Sequence, residues 1–131
     1  MKDKIGLILL ISLFAFSNSY ASPPDWEIIS GTEFSMIFMT DITLNGESFV
    51  GSDGYNIAAA FGPAHCDSVN DCRSVASWQQ PNPPYWDGYW YFTIVGNENG
   101  QEIIFKIYDA ETDSIYQCYE MVSFEDNATV G

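Results

Sequence analysis

Basic residues are nearly absent from this chain of 131 residues. It contains 4 Lys and Arg against 18 Asp and Glu, which gives a formal net charge of −14 at pH 7. Affinity for nucleic acid depends on cations that displace the counterions of the phosphates, and anionic lipid surfaces attract basic segments. The composition therefore excludes nucleic acid as a partner and argues against binding to an anionic membrane surface.

Histidine and cysteine are also scarce. His65 is the only histidine, and the three cysteines are Cys66, Cys72 and Cys118. Their spacing fits no zinc site, and a single histidine argues against the common nucleophile–base catalytic arrangements. Carboxylates are plentiful, but no two of them stand out as a glycosidase pair. We therefore expect a protein that is not an enzyme and that has no resident organic cofactor.

Long hydrophobic runs are missing except at the N-terminus. Two lysines precede an apolar run over residues 5–16, and Ser19 and Ala21 supply small residues at the −3 and −1 positions for a signal peptidase. The run is shorter than the roughly 20 residues that span a bilayer as a helix. The pattern predicts a signal peptide over residues 1–21, with an uncleaved N-terminal anchor as the alternative. We expect a secreted protein, extracellular or at the cell surface, with no membrane insertion after cleavage.

The cysteines of an exported protein meet an oxidising compartment, in which a disulfide can persist. Cys66 and Cys72 flank a short polar segment, which favours a disulfide between them. A Cys72–Cys118 disulfide is the alternative, and either pairing leaves one thiol over.

Short apolar runs separated by turn signals repeat along residues 22–131. Apolar residues alternate from Phe34, Asn45-Gly46 is a strong hairpin signal, and residues 89–95 form the most β-prone run. No segment of this region shows a helical period. The pattern predicts one domain over residues 22–131, all-β, folded as an antiparallel β-sandwich of seven to nine short strands.

Three phrases in this region resemble, in their order, an immunoglobulin-like module of large secreted and cell-surface proteins of Gram-negative bacteria, often those exported by the type IX route. They are DGYNIAAAF at residues 53–61, DCRSVA at 71–76 and GQEIIFKIYDAET at 100–112. Ser74 stands where the family tends to have glycine. The resemblance implies an immunoglobulin-like sandwich that serves as a non-catalytic accessory or adhesive domain.

Arg73 and Lys106 are the only cations beyond residue 21. An arginine in a strand among so many acids should pair with a carboxylate in a bidentate geometry. Asp53 and Asp109 are the expected partners, and we expect a structural role for Arg73.

Aromatic side chains are concentrated between residues 78 and 90. Trp78, Tyr85 and Trp86 lie in a proline-rich loop with Asp87. Flat aromatic faces stack on sugar rings, carboxylates accept hydrogen bonds from hydroxyl groups, and loops on a rigid sandwich are common binding positions. These four residues are the predicted ligand site, with an extracellular glycan as the expected ligand. The alternative is that the rings close one end of the core.

Two further sites are expected. Asp109, Glu111 and Asp113 alternate in a turn and offer oxygen ligands to a structural calcium ion, although aspartate also serves simply to form turns. The run at residues 34–39 is apolar enough to form an unprotected edge strand, through which copies of the protein would self-associate, with an ordinary buried strand as the alternative. A self-assembling structural subunit of the cell surface is therefore the alternative to a module that binds a glycan or a surface protein.

Overall fold

The computed structural model describes residues 23–63, 71–80 and 88–131, and the predicted signal peptide lies outside these ranges. The described residues contain no helix, and therefore none that is long and apolar enough to cross a membrane. They form eleven strands: β1 (Phe34–Thr40), β2 (Thr43–Leu44), β3 (Glu47–Ser48), β4 (Ile57–Gly62), β5 (Asp71–Val75), β6 (Ser77–Gln79), β7 (Tyr89–Gly96), β8 (Glu102–Asp109), β9 (Ser114–Gln117), β10 (Val122–Ser123) and β11 (Thr129–Val130).

The strands form two main sheets and a small hairpin. The first sheet has the order β11-β1-β7-β6, and the second has the order β10-β8-β4-β5, with β9 also paired to β8. The hairpin consists of β2 and β3. All pairings are antiparallel except that of β1 with β11. The predicted all-β sandwich is confirmed. Its strands outnumber the expected seven to nine because four of them are only two residues long.

The main core lies between the two sheets. On β7, Trp90, Phe92 and Ile94 are buried and alternate with more exposed residues, and β8 buries every second residue from Ile103 to Ile107. Phe92 meets Phe105 edge-on across the interface, with ring centroids 5.2 Å apart. Burial of these large side chains is the main force that holds the sheets together.

The outer face of the second sheet carries a smaller apolar cluster of Ala59, Phe61 and Cys72, with Trp26 packed against it. The Trp26 and Phe61 rings meet edge-on at 5.3 Å. Ile29 donates a backbone hydrogen bond of 3.0 Å to the Cys72 carbonyl. The segment before β1 therefore covers this face.

The cysteines show why the alternative disulfide is absent. Cys72 and Cys118 both carry free thiols. Cys72 belongs to the outer cluster, whereas Cys118 packs against the core between the sheets. The two thiols therefore lie on opposite faces of one sheet and cannot be joined. The favoured Cys66–Cys72 disulfide is not formed either, because the Cys72 thiol is free; Cys66 itself lies outside the described residues.

Of the two interpretations of residues 34–39, the structure supports the ordinary strand and not the unprotected edge. β1 lies between β7 and β11, and its Ile37 and Phe38 are in register with Thr129 and Val130. The Asn127 amide also donates a 2.9 Å hydrogen bond to the Ser35 carbonyl. The end of the chain thus covers the side of β1 that the sequence pattern leaves open.

Candidate functional site

Arg73 lies on β5 with only 1 % of its surface exposed. Its guanidinium donates hydrogen bonds to two backbone carbonyls, that of Pro63 at 2.9 Å and that of Val95 at 3.3 Å. Burial lowers the pKa of the Arg73 guanidinium, and the negative charge of Asp71 opposes that shift. The arginine remains charged at neutral pH because its ordinary pKa is so high.

The predicted bidentate pair of Arg73 with Asp53 or Asp109 is not formed. Asp53 instead accepts a hydrogen bond from the Tyr55 amide at 3.0 Å, and Asp109 accepts one from the Thr112 hydroxyl at 2.8 Å. Both carboxylates stabilise their own turns. The contacts of Arg73 with carbonyls of the chain support the structural role that was expected of it.

Trp78 is the one member of the predicted aromatic ligand site that the structure describes. It lies half-buried on β6, edge-on to Trp90 with ring centroids 5.2 Å apart, and packs against the core. Its indole N–H donates a 3.1 Å hydrogen bond to Gln80. Trp78 therefore contributes to packing. Tyr85, Trp86 and Asp87 lie outside the described residues.

The acidic turn after β8 is held by hydrogen bonds of its own. Asp109 accepts from the Glu111 amide at 3.3 Å as well as from Thr112, and Asp113 accepts from the Tyr108 hydroxyl at 2.7 Å. The bond to Asp113 raises the pKa of Tyr108. Within residues 23–63, 71–80 and 88–131, no three His, Cys, Asp or Glu residues are grouped to hold a metal ion. The structure therefore does not bring the three predicted calcium ligands together.

An open cleft lies at one side of the sandwich, and none of the described residues of the two predicted sites lines it. One wall is residues 40–45, which begin at the last residue of β1, and the other is residues 116–120 with Val122, which run from β9 to β10. Phe38, Phe105 and Ile107, which belong to or pack against the core, form its apolar floor. The cleft has a volume of about 370 Å³, which lies in the range of ligand-binding pockets.

The cleft is open because the strands at its two walls end early. β11 is in register with β1 only at Ile37 and Phe38, so the last residues of β1 extend past it. On the other wall, β9 and β10 pair with separate parts of β8, and residues 118–121 leave the sheet between them. The Cys118 amide still bonds to the Phe105 carbonyl at 2.8 Å. This bond holds the second wall against the floor.

Large apolar side chains are exposed along the second wall. Tyr119, which is fully exposed, and Tyr116 line the cleft, and the neighbouring Ile115 and Met121, which do not line it, are also exposed. Single exposed apolar residues are ordinary, but several within one short segment beside a cleft are typical of an interaction surface.

The charged residues that line the cleft are both acidic. Asp41 lies on one wall and Glu120 on the other, and no Lys or Arg is among the lining residues. Cys118 also lines the cleft as a half-buried thiol, and burial, with a smaller contribution from Glu120, raises its pKa. A thiol that remains protonated at neutral pH is a poor nucleophile. The arrangement suits binding better than covalent chemistry.

Comparison of the chain with protein-family models, with curated proteins and with solved structures gave no match in any of the three. The resemblance to immunoglobulin-like surface modules therefore stays a prediction. Secretion, adhesion and glycan binding also stay predictions.

Proposed function

We propose that this protein is a secreted, non-catalytic binding or adhesion module that acts at the cell exterior, and that the cleft is its binding surface. The observation that carries the proposal is the fully exposed Tyr119 beside a cleft with an apolar floor. Burial of such a side chain by a partner removes apolar surface from water and contributes favourable free energy to binding.

The partner is an extracellular glycan or a surface protein. Trp78 packs against Trp90 and not outward, so a glycan site in the aromatic loop would depend on Tyr85, Trp86 and Asp87. The exposed Tyr119 lines the cleft together with the polar residues Asn45 and Gln117. The cleft therefore provides both apolar and hydrogen-bonding contacts in one place.

Export is supported by the sequence of residues 1–21, and a mass measurement tests it. We expect protein recovered from cells that express these 131 residues to begin at Ser22. Recovery of the chain with residues 1–21 still attached would contradict a cleaved signal peptide.

Binding is tested on that recovered protein with a glycan and polysaccharide array and with a displayed library of random peptides. Tyr119→Ala should weaken binding of any selected ligand about tenfold, because removal of an exposed aromatic anchor typically has an effect of this order. Tyr55→Ala is the matched control, since Tyr55 is 69 % exposed but does not line the cleft. The absence of binders, or equal losses in the two variants, would contradict the proposal.

Self-assembly through a strand edge is the second candidate function. In the described chain, β9 has an open edge and β1 does not. Among the described strands, β9 pairs only with β8, and its Ile115 is exposed. Ile115→Lys should abolish any higher species seen by sedimentation, because a charge on an edge strand blocks pairing. A wild-type protein that sediments as a monomer at all concentrations would exclude this candidate.

A further inference from the structure

The open edge of β9 lies beside the cleft. No strand of the described chain pairs with the side of β9 that faces away from β8. Its sequence is Ser-Ile-Tyr-Gln and contains no charged residue and no proline. Charged residues and proline usually protect an edge strand from pairing. Such an edge can accept an extended segment through backbone hydrogen bonds.

The same strand forms part of the cleft wall. Tyr116 and Gln117 belong to β9 and also line the cleft. In an extended segment, successive side chains point to opposite faces. A segment paired with β9 can therefore direct alternate side chains towards the apolar floor at Phe105 and Ile107.

The charge around the cleft selects the chemistry of such a segment. Asp41 and Glu120 lie on opposite walls, and neither cation of the described residues lines the cleft, although Lys106 is in register with Gln117 of β9. Arg73 is buried on β5, and the Lys106 ammonium lies 4.8 Å from the Phe61 ring centroid on the outer face. A positively charged ligand would complement the two carboxylates on the walls of the cleft. The exposed ring of Tyr119 offers a face on which a cation can also bind.

We infer that the cleft and the β9 edge bind an extended segment of a partner protein in which apolar residues alternate with Lys or Arg. This inference rests on the proposed function and names its partner class. A second copy of this chain is a poor occupant, because the whole sequence has four basic residues and no such segment.

The probe is an eight-residue peptide of alternating Lys and Val, measured by fluorescence anisotropy against the full exported protein. The first comparison peptide has Glu in place of Lys. The second keeps Lys and Val but is N-methylated at alternate residues, which removes backbone donors and leaves the charge unchanged. We expect binding of the first peptide only, and weaker binding as salt is raised.

Two double variants distinguish binding of the peptide at the cleft from general attraction of a cationic peptide to an acidic protein. Asp41→Asn/Glu120→Gln removes both charges of the cleft and should weaken binding about tenfold. Glu98→Gln/Glu125→Gln removes two exposed charges and is the control, because these residues do not line the cleft. We expect little change in that control.

The alkylation rate of Cys118 measures whether the cleft is occupied, and this measurement needs no substitution in the protein. Bound peptide should slow alkylation of Cys118 severalfold, as resolved by mass spectrometry. Alkylation of Cys72 should not change, because its thiol lies in the cluster on the outer face.

Equal binding of the Lys and Glu peptides, equal losses in the two double variants, or an unprotected Cys118 would each overturn the inference. Tyr119-dependent binding of a glycan, without peptide binding, would overturn the inference while the proposed function stands. If no ligand of any class depends on Tyr119, both fall.

Discussion

The Arg73 guanidinium on β5 donates a 3.3 Å hydrogen bond to the Val95 carbonyl on β7, and so joins the two sheets. β6 pairs with β7 only from Tyr89 to Tyr91, so Val95 has no strand partner on that side. The register of β5 against β4 shifts between Ala60 and Phe61, opposite this arginine. Arg73 thus satisfies a carbonyl that the strand order leaves unpaired.

Arg73→Met should lower the free energy of unfolding by about 2–4 kcal/mol, because it leaves the part-buried Val95 and Pro63 carbonyls without their charged donor. Lys106→Met is the control. It removes only a contact between a cation and the Phe61 ring and should cost about 1 kcal/mol or less. Urea unfolding of both variants checks the difference, and equal losses would show that Arg73 does not hold the sheets together.

Trp90→Phe should destabilise the protein more than Trp78→Phe. The Trp90 indole is 2 % exposed, donates a 2.7 Å hydrogen bond to the Phe49 carbonyl, and stacks on the Phe49 ring. Loss of the Trp90 indole leaves the Phe49 carbonyl without its donor and creates a cavity. The free energy of unfolding should therefore fall by about 2–4 kcal/mol. Trp78 donates only to the exposed Gln80, so we expect a smaller cost, about 1 kcal/mol. Denaturation midpoints in the reverse order would contradict this account of the aromatic cluster.

Gly88→Ala should be more damaging than Gly100→Ala, although both glycines have positive φ, of 95° and 88° respectively. A Cβ at Gly88 would lie 2.1 Å from Cζ2 of Trp78, whereas a Cβ at Gly100 would meet open space. The backbone strain of about 1–2 kcal/mol is common to both, and the clash adds about 1–3 kcal/mol at Gly88 alone. Thermal unfolding compares them, and equal shifts would mean that Trp78 can move aside.

Stability should fall as the pH rises above neutral. Burial raises the pKa of the Cys72 and Cys118 thiols, so the folded state holds these protons more tightly than the unfolded state. Their contribution is complete below the unfolded thiol pKa of about 8.5 and is lost as the pH rises through the folded value. Urea unfolding between pH 7 and pH 10 should show a smaller decline for Cys72→Val than for the wild type. Equal declines in the free energy of unfolding of the two proteins would indicate that the Cys72 thiol does not contribute to the pH dependence of stability.

The strands that the sequence predicted best are those whose side chains alternate most clearly. The apolar residues of β7 and β8 alternate because one face of each strand packs in the core. The Asn45-Gly46 hairpin is also confirmed: β2 pairs with β3 across it, and both turn residues have positive φ, of 53° and 81°. Alternation and turn chemistry are local, so a sequence expresses them directly.

The errors concern contacts between distant parts of the chain. Pairing of Ile37 with Thr129 covers β1, and no local pattern encodes that pairing. The acceptors of Arg73 are backbone carbonyls, which every residue carries, so its side chain alone suggested carboxylates. The cleft exists because β9 and β10 separate along β8, and a sequence pattern locates strands but not their separation. Asn56 was missed for the same reason: its side-chain amide bonds the Val50 carbonyl and the Ala110 amide, both at 2.9 Å.

Hydrogen exchange, measured with and without the strongest selected ligand, tests most directly whether the cleft is the binding surface. We expect the ligand to slow exchange in β9 and at residues 40–45 and 118–122, and to leave residues 78–87 unchanged. Slower exchange over residues 78–87 with no change at the cleft would contradict the account and place the binding surface in the aromatic loop.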